Sequence, residues 1–97
     1  LPELPLQVSQ QLFLVVKEGL TNIQKHSKAS VVKLSIITTA EIVTIRLSDN
    51  GVGFSLDEPV QGFGLQGMQE RIQLLNGQMA VQSTLGKGTL IEVTIPR

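Results

Sequence analysis

The chain has 97 residues, with eight basic and eight acidic side chains, one histidine, no cysteine and a formal charge of zero. This length supports one core and excludes a second domain. Evenly mixed charge excludes the basic stripe that nucleic-acid binding uses, and the lack of thiols excludes disulfides and thiolate metal sites and fits a reducing, cytoplasmic compartment.

The chain opens Leu1-Pro2-Glu3-Leu4-Pro5-Leu6 without an initiator methionine. Both prolines disfavour helix and favour an extended entry, and Leu1 reads as a cut point in a longer protein. From Val8 to about His26, the residues Val8, Leu12, Val15, Val16, Gly19, Leu20 and Ile23 recur at helical spacing, with Ser9 as a candidate cap. The longest apolar run here, Leu12 to Val16, is far shorter than the ~20 residues a membrane helix requires, so no direct membrane contact is expected.

Strands are expected at Val31 to Thr38 and at Ile42 to Ser48, joined as a hairpin through Thr39-Ala40-Glu41, because Val43, Ile45 and Leu47 alternate with Thr44, Arg46 and Ser48. Asp49 to Gly62 carries glycine, proline and acidic residues with few apolar ones, a loop long enough to form a lid. Leu65, Met68, Ile72 and Leu75 restore a helical period, and Asn76-Gly77 supplies a left-handed stop. Met79 to Ser83 and Thr89 to Ile95 complete the set as two strands about Thr84-Leu-Gly86-Lys-Gly88, with Pro96 ending the last. Amphipathic helices interleaved with half-polar strands predict an α+β, two-layer sandwich: a mixed, mostly antiparallel sheet with helices on one face, residues 1–97 forming a single domain.

Three clusters carry the chemistry. At about 100° per residue, Glu18, Asn22 and Lys25 fall within an arc of about 60° at the edge of the apolar stripe of the first helix. An amide oxygen and a carboxylate so placed suit Mg²⁺, which keeps most of its waters, and the ammonium suits phosphate; the same residues also suit an ordinary solvated helix edge. Asp49-Asn-Gly51-Val-Gly53-Phe54 follows a strand. Asp49 can accept from an exocyclic amine such as adenine's, with glycines admitting a flat ring, or the run can be a plain strand-ending turn. Gly62-Phe-Gly64-Leu65-Gln-Gly67-Met68 opens a helix whose first N–H groups can meet phosphate, although it lacks the surroundings of a dinucleotide or Walker loop. Beyond these, Gly86-Lys-Gly88-Thr89 is a tight turn whose threonine can offer a hydroxyl to a base or its water, and His26 faces nearer the apolar stripe than Glu18 does, which suits a satisfied core histidine more than a phosphate contact.

With these residues in order, the chain resembles the catalytic ATP-binding domain of sensor histidine kinases, within the wider gyrase, Hsp90 and MutL group of Bergerat-fold ATPases. Glu18 to Lys28 is similar to the N box in its nitrate-sensor-like and DesK-like form, Asp49 to Phe54 to the G1 box, Gly62 to Met68 to the G2 box, and Gly86 to Thr89 to the closing Gly-x-Gly-Thr element. The resemblance covers essentially the whole chain. It implies that Asn22 ligates Mg²⁺, Glu18 holds a metal-bound or attacking water, Lys25 meets phosphate, Asp49 reads the adenine amine and Thr89 supports the base. It further implies a nucleotide pocket lined by Asn22, Lys25, His26, Asp49, Gly51, Gly53, Phe54, Gly62, Gly64, Leu65, Gly67, Met68, Gly88 and Thr89, beneath an ATP lid at residues 55–61.

The lid is short and lacks a separate aromatic box, and Gly19 stands where Ala is commoner in the family. The implied partners are ATP and ADP, a helical dimerisation domain bearing the phosphoacceptor histidine, and a response regulator reached through it. The isolated domain is expected to be a monomer and not to phosphorylate itself. A serine-directed kinase of the anti-sigma type, an ATP hydrolase and a non-catalytic nucleotide-binding module share the same fold as alternatives; the Lys25-His26 pair and the short lid favour the histidine kinase.

Overall fold

A computed structural model describes residues 4–53 and 65–97, without the side chains of His26 and Ser27. The expectations for Phe54, Gly62, Gly64, the lid at residues 55–61 and the His26 side chain therefore lie outside the described residues.

Helix α1 runs Leu6–Asn22 and buries Leu12, Val15, Gly19 and Asn22 along one stripe. It starts at Leu6, earlier than Val8, and Ser9 is not its cap. Pro5 takes that place at φ −50°, ψ 142°, without a side-chain cap bond, and its carbonyl accepts the Ser9 N–H at 3.1 Å. Proline suits a helix boundary because its φ is preset and it has no N–H to leave unpaired. The α-helix also stops short of His26. Ile23–Ser27 form a π-helical turn, and Lys28 closes it in the left-handed region at φ 53°.

Strands β1 (Val32–Thr38) and β2 (Ile42–Asp49) form the expected hairpin, closed by the Thr39 N–H on the Ile42 carbonyl at 2.9 Å. Helix α2 covers Leu65–Leu74. Asn76, at φ 60°, ends it in the left-handed conformation, with the Gly77 N–H bonded to Ile72 O and the Asn76 N–H to Gln73 O, the paired reverse bonds of a Schellman stop. Strands β3 (Gln78–Thr84) and β4 (Gly88–Pro96) complete a four-stranded sheet of order β1-β2-β4-β3, with every pairing among the described residues antiparallel.

The register lays the helix-facing residues in rows across the sheet. Ile36, Ile45, Val93 and Met79 stand abreast, and Leu34, Leu47, Ile91 and Val81 form the next row. Both helices cover the central part of these rows: Leu12 and Val15 of α1 and Met68 and Ile72 of α2 share one core with Val43, Ile45, Ile91, Val93 and Ile95. The next row beyond Leu47 is Val32, Asp49, Thr89 and Ser83. The apolar core thus gives way to a polar row at one end of the sheet, beneath the carboxyl end of α1's buried stripe.

Candidate nucleotide site

Asp49 is the last residue of β2, on the helix side of the sheet, and is half-buried. Its Oδ1 accepts the Gly51 N–H at 2.7 Å, which tightens the turn, while the carboxylate keeps further lone pairs as acceptors. The chain after it is pressed against the β3–β4 hairpin, where the Gly86 N–H donates to Val52 O at 2.6 Å. Gly53 at φ 62° and Gly88 at φ 88° permit this approach: a methyl on Gly53 would strike the Thr84 carbonyl, and one on Gly88 the Asp49 carbonyl. At these two glycines the close approach is of backbone to backbone.

Asp49 and Thr89 are direct cross-strand partners, and with Gln82, Ser83, Thr84, Lys87, Gly88 and Leu90 they line a cavity of about 240 Å³. The Thr89 hydroxyl is 2.8 Å from that of Ser83. On the other layer, Glu18 opens onto a second cleft of about 330 Å³ between the two helices, lined by Leu14, Val15, Lys17, Thr21, Gly67, Met68 and Arg71. Arg71 of α2 donates to the Gln11 side chain of α1 at 3.0 Å across the same junction. A methyl added to Gly67 would meet nothing within 4 Å, so this glycine borders open space.

The residues of the first cluster do not share one exposed edge. Glu18 and Lys25 are exposed, whereas Asn22 is 5% exposed on the buried stripe, one turn beyond Gly19. The step of about 100° holds from Glu18 to Asn22 and carries Asn22 onto the buried stripe with Gly19; it fails only at Lys25, because the α-helix passes into the π turn at Ile23. Leu65 and Met68 lie in α2, half-buried and buried, and Gly51 is buried beside Asp49. The structure therefore sets Asp49, Gly88 and Thr89 together around one cavity, with Gly51 and Gly53 in the turn that follows Asp49, and Glu18, Gly67 and Met68 together around a separate cleft that shares no lining residue with it.

Two residues escaped the sequence reading. Asn50 accepts the N–H groups of Ser30 and Val31 on its Oδ1, both at 2.9 Å, and donates to the Ser30 hydroxyl at 2.8 Å. It clips the segment leaving the π turn to the segment holding Asp49. In sequence it is one more turn-forming asparagine, and its neighbour is twenty residues away. Ser83 could have been found by parity, since it continues the alternation of Met79 and Val81 on the helix side of β3.

This geometry has counterparts. A family model described as histidine kinase-, DNA gyrase B-, and HSP90-like ATPase matches residues 7–97. The chain belongs to that family. Among curated relatives, the signal transduction histidine-protein kinase/phosphatase DegS of Brevibacillus brevis is 41% identical over 93 residues, 95% of this chain and 24% of that protein. The sensor histidine kinase LiaS of Bacillus subtilis is 39% identical over 92% of this chain and 25% of that protein. The blue-light activated histidine kinase of Erythrobacter litoralis superposes with a TM-score of 0.83 at 25% identity, over 96% of this chain and 31% of that one. The chain thus spans about a quarter of the length of the curated relatives named here, and its fold of helices on an antiparallel sheet is that of histidine kinase ATPase domains.

Proposed function

We propose that this domain binds Mg-ATP and presents the γ-phosphate to a histidine on a separate helical dimerisation domain of a parent sensor kinase in the cytoplasm, from which a response regulator is phosphorylated. The observation that carries this reading is Asp49. It is an acceptor carboxylate at the end of a central strand, abreast of the Thr89 hydroxyl and at the wall of a cavity, where a family of ATPases needs a group to read adenine's exocyclic amine.

Mg²⁺ fits the donor set. Glu18 and Asn22 stand one turn apart on α1 as a carboxylate and an amide oxygen, and Mg²⁺ travelling on a nucleotide takes only one or two protein oxygens and keeps most of its waters. Asn22 would hold it through its amide oxygen and Glu18 through a water, and the ion would neutralise charge on the phosphates. Lys25, exposed on the π turn, meets phosphate oxygens; Asp49 and Thr89 hold the base. What these residues contribute to transfer is placement of the γ-phosphate, in keeping with phosphoryl transfer in general. The family relationship to named histidine kinases weighs against the serine-directed alternative.

Calorimetric titration of the chain with ATP tests the base site. Asp49→Asn should weaken binding about 10- to 100-fold, the equivalent of a hydrogen bond to a charged group; unchanged affinity would remove the assignment. Asn22→Ala should leave ATP binding indifferent to Mg²⁺, and a persisting Mg²⁺ dependence would place the ligand elsewhere. In the parent kinase, the phosphorylated product should be acid-labile, as a phosphohistidine is; an acid-stable phosphoester would favour a serine-directed enzyme.

A further inference from the structure

Ser83 is a hydroxyl residue at a position that β3 otherwise gives to the core. Met79 and Val81 precede it on the helix side and pack against the buried cluster, while Ser83 stands at the polar end, lining the cavity that Asp49 and Thr89 also line. It is the cross-strand partner of Thr89, which is in turn the partner of Asp49, so the three polar residues lie side by side on three strands.

Either hydroxyl of the Ser83–Thr89 pair can donate to the other, and a Ser83 bond to the Gly88 carbonyl selects between the two arrangements. Ser83 Oγ lies 3.3 Å from the Gly88 carbonyl, which can only accept, and 2.8 Å from Thr89 Oγ1. With the Ser83 proton on the Gly88 carbonyl, the Thr89 proton is directed to Ser83 Oγ, and Thr89 turns lone pairs to the cavity. Asp49 is likewise an acceptor. An edge of two acceptors suits the 6-amino group of adenine, a donor, and opposes the 6-oxo group of guanine, an acceptor.

We propose that Ser83 is a specificity-determining positioning residue, which acts through Thr89 to keep that hydroxyl an acceptor and so to favour a 6-aminopurine nucleotide over a 6-oxopurine one. The inference rests on the adenine reading of the Asp49 site. Without Ser83, the Thr89 proton is free to turn into the cavity and donate to a 6-oxo group.

The test titrates the chain and its variants with ATP and GTP. Ser83→Ala should lower the ratio of GTP to ATP dissociation constants by about 3- to 10-fold, the worth of one neutral hydrogen bond. Ser83→Thr, which keeps the hydroxyl, should restore the ratio. In a Thr89→Val background, Ser83→Ala should change the ratio no further, because the residue through which it acts is gone. A Ser83→Ala chain whose urea midpoint falls while the ratio stays put would assign Ser83 to hairpin stability and overturn the proposal, as would an effect that persists without Thr89. Asp49→Asn in the same titration separates the two readings. If the wild-type chain fails to bind ATP, or Asp49→Asn binds it equally well, the adenine site falls and this inference with it; if those two behave as expected and Ser83→Ala keeps the wild-type ratio, only this inference falls.

Discussion

Gly88 sits at φ 88° with the Asp49 carbonyl where a side chain would begin, and that obstacle is backbone. Gly88→Ala should therefore cost about 1–3 kcal/mol or more in a urea melt, since both strain and collision oppose it. Gly19 makes the instructive contrast. A methyl there would meet the Leu47 Cδ2 atom at 2.6 Å, the far end of a rotatable side chain, and Ala regains about 1 kcal/mol of helix propensity. Gly19→Ala should accordingly stay within about 1 kcal/mol of wild type, and a loss as large as that of Gly88→Ala would show that Leu47 cannot move. Asn50 belongs to the same scale. Asn50→Ala removes two bonds to backbone N–H groups and one to a hydroxyl, and should cost about 1–2 kcal/mol. Asn50→Asp, which keeps both acceptor bonds, should recover most of that; if the two variants melt alike, the clip contributes nothing.

Among the elements, β1 and β2 share alternation and apolar content but not environment. Every residue of β1 is exposed and it forms an edge of the sheet, whereas Val43, Ile45 and Leu47 of β2 are buried beneath the helices. Leu47→Ala should cost about 2–5 kcal/mol as a core truncation, while Leu34→Thr, its direct partner in the register, should stay within about 1 kcal/mol. Equal losses would mean that the edge is covered in solution. The strands and helices were legible because each follows a local rule: alternation for β2 and β4, helical spacing for α1 and α2, and a left-handed Asn before Gly at the Schellman stop. The π turn was not, because the run from Leu20 to Lys28 contains no proline or glycine to announce a change from α to π winding.

For the molecule as a whole, the proposed site draws on both layers: α1 supplies Glu18 and Asn22, and the sheet supplies Asp49 and Thr89. A ligand bridging them should stabilise the fold by mass action. At a hundredfold excess over its dissociation constant, Mg-ATP should add about 2.7 kcal/mol, or roughly 10–20 °C in Tm for a domain of this size. Asp49→Asn should abolish most of that shift at the same concentration. A wild-type chain that melts at the same temperature with and without Mg-ATP would contradict a site shared between the layers. The amphipathic periods indicated the fold class, and the resemblance carried by the ordered motifs indicated the family, since these are properties of neighbouring residues. The row of Asp49, Thr89 and Ser83, the Asn50 clip and the burial of Asn22 emerged from packing alone. Each depends on strand register or helix winding, which is settled by partners distant in the chain and by the competition of whole rows of side chains for one core.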